Sequence, residues 1–200
     1  SAVEVPLLHT LFATGGSMAS GVKAGLEMRG LKDTAVLVVA GDGGTFDIGL
    51  QALSAAVERN EDFIYICYDN EAYMNTGIQR SSATPWGAWT STTPVKHPKD
   101  QPKKDMVAIM AAHRIPYTAT ATVAYPEDLI AKVRKANSIR GSKFLHVLAP
   151  CPSGWKTESS QTVYLSRLAV ETCTFPLYEI EHGEDYHISV WPKQKQPVEK

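Results

Sequence analysis

Four residues, Gly41-Asp42-Gly43-Gly44, constrain this chain more than any other stretch. They follow Thr34 to Ala40 (TAVLVVA), an apolar, β-branched run that reads as a buried strand. A second strand-like run, Phe63 to Tyr68, delivers Asp69-Asn70 to a similar place. In an open α/β sheet, ligands bind at the carboxyl ends of strands. A carboxylate and an amide oxygen arriving together, with glycines that let backbone approach a phosphate, suggest a Mg²⁺–diphosphate site. Other glycine-loop readings fit less well. There is no GxxxxGK[ST], Phe46 stands where the third glycine of GxGxxG belongs, and the alternating acids of a calcium loop are missing. A ligand-free strand-to-helix turn with a capping Asp explains GDGG alone about as well.

Hydrophobic periodicity gives alternating elements. A helix is expected over 16–29, with Met18, Val22, Leu26 and Met28 as its apolar stripe, then strand 34–40. Helix 46–58 follows, with Ile48, Leu50, Leu53, Ala56 and Val57 turned inward, then strand 63–68. Residues 71–102 are rich in Ser, Thr, Pro and Gly and lack periodicity. A loop that long is functional or disordered, and Tyr73, Trp86 and Trp89 argue against disorder. Helix 103–112, strand 117–123, helix 126–137, strand 144–149, helix 160–172 and two short strand-like runs complete the chain. This alternation predicts an α/β fold with a doubly wound, mostly parallel sheet.

Two hundred residues suit a single domain, residues 1–200, with a sizeable core. A net charge of −1 gives no reason to expect nucleic acid or an anionic membrane as partner. No apolar run is long enough for a transmembrane span, and no signal peptide is visible, so a cytoplasmic location is expected. The chain opens SAVEVPLLH without an initiator Met, which suggests a segment of a longer protein. Six dispersed histidines show no paired metal spacing; His9, just before the first helix, is read as structural. Three scattered cysteines exclude a disulfide scaffold. Cys67 and Cys173 read as small buried residues, whereas Cys151 sits in a Pro- and Gly-rich loop (APCPSGW) after a strand.

GDGGTFDIGLQAL and DNEAYMNTGIQRSSATPWGAWTSTTP closely resemble the thiamine-diphosphate-binding β subunit of 2-oxoacid:ferredoxin oxidoreductases, most of all the pyruvate:ferredoxin oxidoreductases. The resemblance continues through QPKKDMVAIMAAHRIPY, TATVAYPEDLIAKVRKA and HVLAPCPSGW, in the family's order. It implies the thiamine-diphosphate-binding fold. It also implies Mg²⁺ held by Asp42, Asn70 and the backbone carbonyl of Ala72, with diphosphate oxygens and water completing the shell. Gly41, Gly43 and Gly44 then line the diphosphate. Thr76 hydrogen-bonds the diphosphate, and Asn75 faces cofactor and substrate as the catalytic candidate. Without the family, Asn75 and Thr76 read as turn formers. Asp47 is expected to cap or support the start of its helix rather than touch substrate, and Gln79 and Arg80 to support the loop or face a neighbouring subunit. The segment Phe12-Ala13-Thr14-Gly15 departs from the Phe-Glu-Asn-Ala of many members.

By the same resemblance, Cys151 ligates a [4Fe–4S] cluster whose other three cysteines lie outside this segment, since a cluster takes four thiolates. The glutamate that activates the cofactor comes from another subunit, so the active site lies at an interface. The implied reaction is reversible decarboxylation of pyruvate with CoA to acetyl-CoA and CO₂, with electrons passed to ferredoxin. Alternatives are a relative acting on oxalate, 2-oxoglutarate or a branched-chain 2-oxoacid; a non-redox thiamine-diphosphate decarboxylase; and a binding module for Mg²⁺ and a nucleotide.

Overall fold

The computed structural model describes residues 4–192. Its strands are β1 (Leu37–Gly41), β2 (Ile64–Asp69), β3 (Tyr117–Thr122), β4 (Lys143–Leu148), β5 (Leu177–Glu181) and β6 (Asp185–Val190). Its helices are α1 (Gly15–Met28), α2 (Leu50–Glu58), α3 (Met106–Ala112), α4 (Pro126–Ser138), α5 (Pro152–Trp155) and α6 (Thr162–Glu171). The strands form one sheet in the order β1-β2-β4-β3-β5-β6. The first four are parallel neighbours, and the β5–β6 hairpin adds to β3 antiparallel. The α/β alternation in the sequence therefore produces the mostly parallel sheet it predicts. No helix among the described residues is long and apolar enough to cross a membrane.

β3 and β4 are buried at every position because helices cover both faces of the sheet. One core cluster joins Phe46, Leu53, Tyr65, Met106, Met110 and Phe144; another joins Ile64, Tyr117, Ala119, Ala136 and Leu145. Two registers set up the site. Gly41 lies beside Tyr68, and Asp69 beside Leu148. Asp42 and Asn70 thus leave adjacent strands at the same, carboxyl, end of the sheet.

Four local expectations change. The run 34–40 is not a fully buried strand: β1 spans Leu37–Gly41 at the edge of the sheet, with Leu37 and Val39 exposed. The expected stripe of α1 also faces out. Met18, Val22 and Met28 are exposed, and the buried positions are Gly15, Gly16, Ala19 and Lys23. The reason is close helix packing. A Cβ on Gly16 would stand 2.8 Å from the backbone N and Cα of Leu53 in α2. Lys23 reaches past this contact to pair with Asp62 at 3.0 Å. Helix 46–58 is really one π-helical turn (Gly43–Asp47) followed by α2, and Ile48 is exposed. Cys67 is buried as read, but Cys173 is exposed, in a left-handed conformation (φ 59°) just beyond α6.

Gly16→Ala should move α1 off α2, because the obstruction is backbone and cannot swing aside. The expected loss is about 1–3 kcal/mol of unfolding free energy, typical of overpacking. Urea denaturation checks it; an unchanged midpoint would show that the helix pair has slack.

Candidate functional site

Immediately after β1 the chain winds into the π-helical turn, with Ile48 N–H donating to Gly43 O at 3.3 Å. Such turns are uncommon and recur at functional sites. Its glycines answer first to the chain itself. A Cβ on Gly43 would lie 2.2 Å from the Tyr73 ring, whose hydroxyl donates to Gly43 O at 3.1 Å. A Cβ on Gly44 would lie 2.6 Å from the Phe12 carbonyl oxygen. A Cβ on Gly41 would make only ordinary contact with the Tyr68 ring. The turn's leading N–H groups are of the kind a helix start leaves free for an anion.

Asp42, 1 % exposed, accepts from the Ser81 hydroxyl through Oδ2. The tip of the Asn70 amide stands 3.0 Å from Asp42 Oδ1 and 2.8 Å from the Ala72 carbonyl oxygen. With its NH₂ at that tip, Asn70 donates to both. With its oxygen there, it would face two other oxygens, Asp42 Oδ1 and the Ala72 carbonyl, an arrangement favourable only around a cation. Adjacent oxygens of a Mg²⁺ octahedron at about 2.0–2.1 Å lie ~2.9 Å apart. Both spacings from the Asn70 tip are close to that edge, so the residues present fit Mg²⁺. Burial, and next the Asp69 carboxylate, push the Asp42 carboxyl up to about 7. A cation would relieve both.

The rest of the site is a set of buried polar groups that sequence reading missed. Asp69 is fully buried, and burial alone would raise its pKa. Lys103 at 2.6 Å and His146 at 2.7 Å outweigh that effect and hold it at about 2. Asp69 Oδ1 accepts from Glu71 N–H at 2.9 Å, and Lys103 also pairs with Glu71 at 2.9 Å. The long loop packs through such contacts. Ser81, Ala83, Thr84, Thr90 and Lys99 are buried, whereas Trp86 and Trp89 are exposed. Asp47 does not cap a helix; it accepts from Ser82 N–H at 3.0 Å and from the Ser82 hydroxyl, anchoring the loop. Asp–Lys and Asp–His partners tens of residues apart leave no periodic trace, so only the fold reveals them.

Asn75 and Thr76 are exposed at the tip of the Tyr73–Gln79 turn. The Thr76 hydroxyl donates to Gln79 Oε1 at 2.5 Å, which is the turn-forming role. Arg80 bonds Gln101 at 3.1 Å. His9 is exposed, not packed. Cys151 is half-buried at the start of α5, and Trp155 four residues on donates its indole N–H to the Asn70 carbonyl at 2.9 Å. The cysteine loop and the three-oxygen group are therefore joined directly. Among the described residues, no three His, Cys, Asp or Glu side chains converge as metal ligands, so any cation here takes a mixed donor set. A cavity of about 500 Å³, lined by Ala72, Met74, Ile78, Trp89 and Trp155, opens beside the group. A smaller one, about 230 Å³, lies at the far end of the sheet around the Asp62–Arg140–Lys143 ion pairs and holds no comparable donor set.

A family model described as the thiamine pyrophosphate enzyme, C-terminal TPP binding domain, matches residues 3–147. The chain is 53 % identical to pyruvate synthase subunit PorB of Methanothermobacter marburgensis, over all of this chain and 70 % of that one. It is 52 % identical to ketoisovalerate oxidoreductase subunit VorB of Pyrococcus horikoshii, over 98 % of this chain and 66 % of that one. Among solved structures, a 2-oxoglutarate:ferredoxin oxidoreductase from Magnetococcus marinus shares the fold. Its TM-score is 0.69 at 24 % identity, covering 80 % of this chain and 51 % of that chain.

Proposed function

Because the chain belongs to the thiamine-diphosphate enzymes, and within them to the β subunits of 2-oxoacid:ferredoxin oxidoreductases, we propose that it holds thiamine diphosphate through Mg²⁺ on Asp42, Asn70 and the Ala72 carbonyl. The observation that carries this reading is the three-oxygen group, with its buried, destabilised Asp42 carboxylate. Residues 1–200 would be one thiamine-diphosphate-binding domain within a longer chain, working in the cytoplasm with partner subunits.

When bound, the cofactor supplies a nucleophilic carbon and an electron sink for 2-oxoacid decarboxylation. This chain's share is to bind and orient it. Asp42, Asn70 and Ala72 hold the cation. Gly41, Gly43, Gly44 and Thr76 border the diphosphate. Asn75, exposed at the loop tip, meets the substrate. The activating glutamate comes from another subunit, so the chain alone is inactive; turnover by the isolated polypeptide would refute this. Cys151 supplies one of the four thiolates of a [4Fe–4S] cluster, and the other three come from outside these residues.

Pyruvate is the proposed substrate, oxidised with CoA while electrons leave for ferredoxin. The nearly equal identity to a ketoisovalerate subunit makes a branched-chain acid the second reading. The test is CoA-dependent viologen reduction by the complete complex, purified without oxygen, with pyruvate, oxalate, 2-oxoglutarate and ketoisovalerate in parallel. Preference for pyruvate supports the first reading and preference for ketoisovalerate the second. No reduction with any acid, despite bound thiamine diphosphate, would move the protein to the non-redox decarboxylases. Cys151→Ser in the same complex should alter the cluster's electron paramagnetic signal while thiamine diphosphate stays bound. An unchanged signal would remove Cys151 from the ligand set.

A further inference from the structure

Between the two proposed ligands Asn70 and Ala72 sits Glu71, with φ +70°. This left-handed conformation is unfavourable for a residue with a side chain and persists only where the surroundings impose it. Here three contacts impose it. The Glu71 N–H donates to Asp69 Oδ1 at 2.9 Å, the Thr84 hydroxyl donates to the Glu71 carbonyl at 2.5 Å, and the carboxylate pairs with Lys103 at 2.9 Å. Each partner has a further contact: Asp69 with His146, Lys103 with Asp69, and Thr84 by accepting from Ser81 N–H at 3.0 Å. The geometric result is local. The chain reverses at Glu71, and the Ala72 carbonyl returns to the same side as the Asn70 amide, 2.8 Å from it.

We propose that Glu71 is a positioning residue. Its carboxylate, Lys103 and Thr84 together clamp a strained peptide so that the Ala72 carbonyl is aimed at the cation before the cation arrives. The inference rests on the Mg²⁺ reading above. It assigns Glu71 a conformational role, with no proton transfer. Preorganisation of this kind removes a reordering cost from binding.

Alanine and glycine at 71 separate the possibilities. Both remove the carboxylate, but only glycine adopts positive φ without penalty. The complete complex, stripped of cofactor, would be titrated with Mn²⁺ at fixed thiamine diphosphate, with free Mn²⁺ read by electron paramagnetic resonance. Glu71→Ala should weaken the thiamine-diphosphate-dependent Mn²⁺ binding by roughly tenfold, the scale of a left-handed penalty. Glu71→Gly should stay within about threefold of the unsubstituted complex. Equal losses in both would show that the carboxylate acts otherwise than by holding the left-handed conformation and overturn the proposal, as would no loss in either. Thr84→Val, which deletes the hydroxyl at constant shape, gives a second route. Its weakened Mn²⁺ binding should be restored when Glu71→Gly is added, and a defect that glycine fails to cure would also overturn the proposal. If the unsubstituted complex shows no thiamine-diphosphate-dependent Mn²⁺ binding, the cation reading itself falls, a result distinct from any contrast between variants.

Discussion

Asp42→Asn should abolish retention of thiamine diphosphate in Mg²⁺ buffer while making the cofactor-free protein more stable. The first effect follows from losing the one anionic oxygen among the three donors. Changing a residue that merely supports a ligand already costs about 10–100-fold in metal affinity, and a ligand should exceed that. The second follows from sign. Burial and Asp69 lift the Asp42 pKa from the ordinary 3.8 to about 7. The folded, cation-free protein therefore holds this proton more tightly than the unfolded chain. The resulting stability is complete below about pH 4 and is lost as pH rises through about 7. Asparagine is neutral throughout and still accepts from the Ser81 hydroxyl, so the variant escapes this loss. Two measurements on the complex check the pair: thiamine diphosphate content after desalting, and melting of the stripped protein at pH 5 and pH 8. The unsubstituted protein should melt lower at pH 8 relative to the variant, and added Mg²⁺ should narrow the gap. Equal pH dependence in both would mean that Asp42 is not the strained group.

Lys103→Met should be the costliest single change to folding. It leaves the Asp69 carboxylate, fully buried, with His146 as its remaining side-chain partner. Breaking a buried pair from one side costs about 3–5 kcal/mol. Burial works against the ionised Asp69, yet Lys103 and His146 hold its pKa near 2. The stability this supplies is present above about pH 4 and lost as pH falls through about 2. The difference between protein and variant should therefore be largest near neutrality and shrink toward pH 3, where Asp69 begins to take up a proton. Urea midpoints at pH 7 and pH 3 measure it. A pH-independent difference would assign Lys103 a packing role instead, against the Phe175 ring 6.0 Å away.

The strands and most helices were legible because burial on both faces leaves continuous apolar runs, as in FIYICY and KFLHVL. That Asp42 and Asn70 meet was legible because each directly follows a strand, whereas Ala72 entered only through the family resemblance. What failed to show has a common cause. Met18 and Val22 look like a core stripe, but Gly16 lets α1 approach α2 along a face of small residues, and the large side chains stay outside. Small residues carry close packing without a hydrophobic signal. The Asp69–Lys103–His146 group is invisible for another reason: its members lie on β2, just before α3 and on β4, and only the fold unites them. The tryptophans of 71–102 point the same way. They suggested an ordered loop, yet the order comes from buried Ser, Thr and Lys side chains that sequence alone would assign to solvent.

The edge position of β1 bears on how this polypeptide survives before it is assembled. Along its outer side, the amide and carbonyl groups of Leu37–Gly41 meet no strand among the described residues. The segment also lacks the lysines, prolines and bulges with which natural sheets blunt such rims. An apolar edge strand without such devices accepts an extended segment that reaches it. Productive pairing and fibrillar self-addition then compete for one row of groups, and the outcome turns on relative concentrations. Covering β1 would therefore protect the newly made polypeptide from self-association before any cofactor binds.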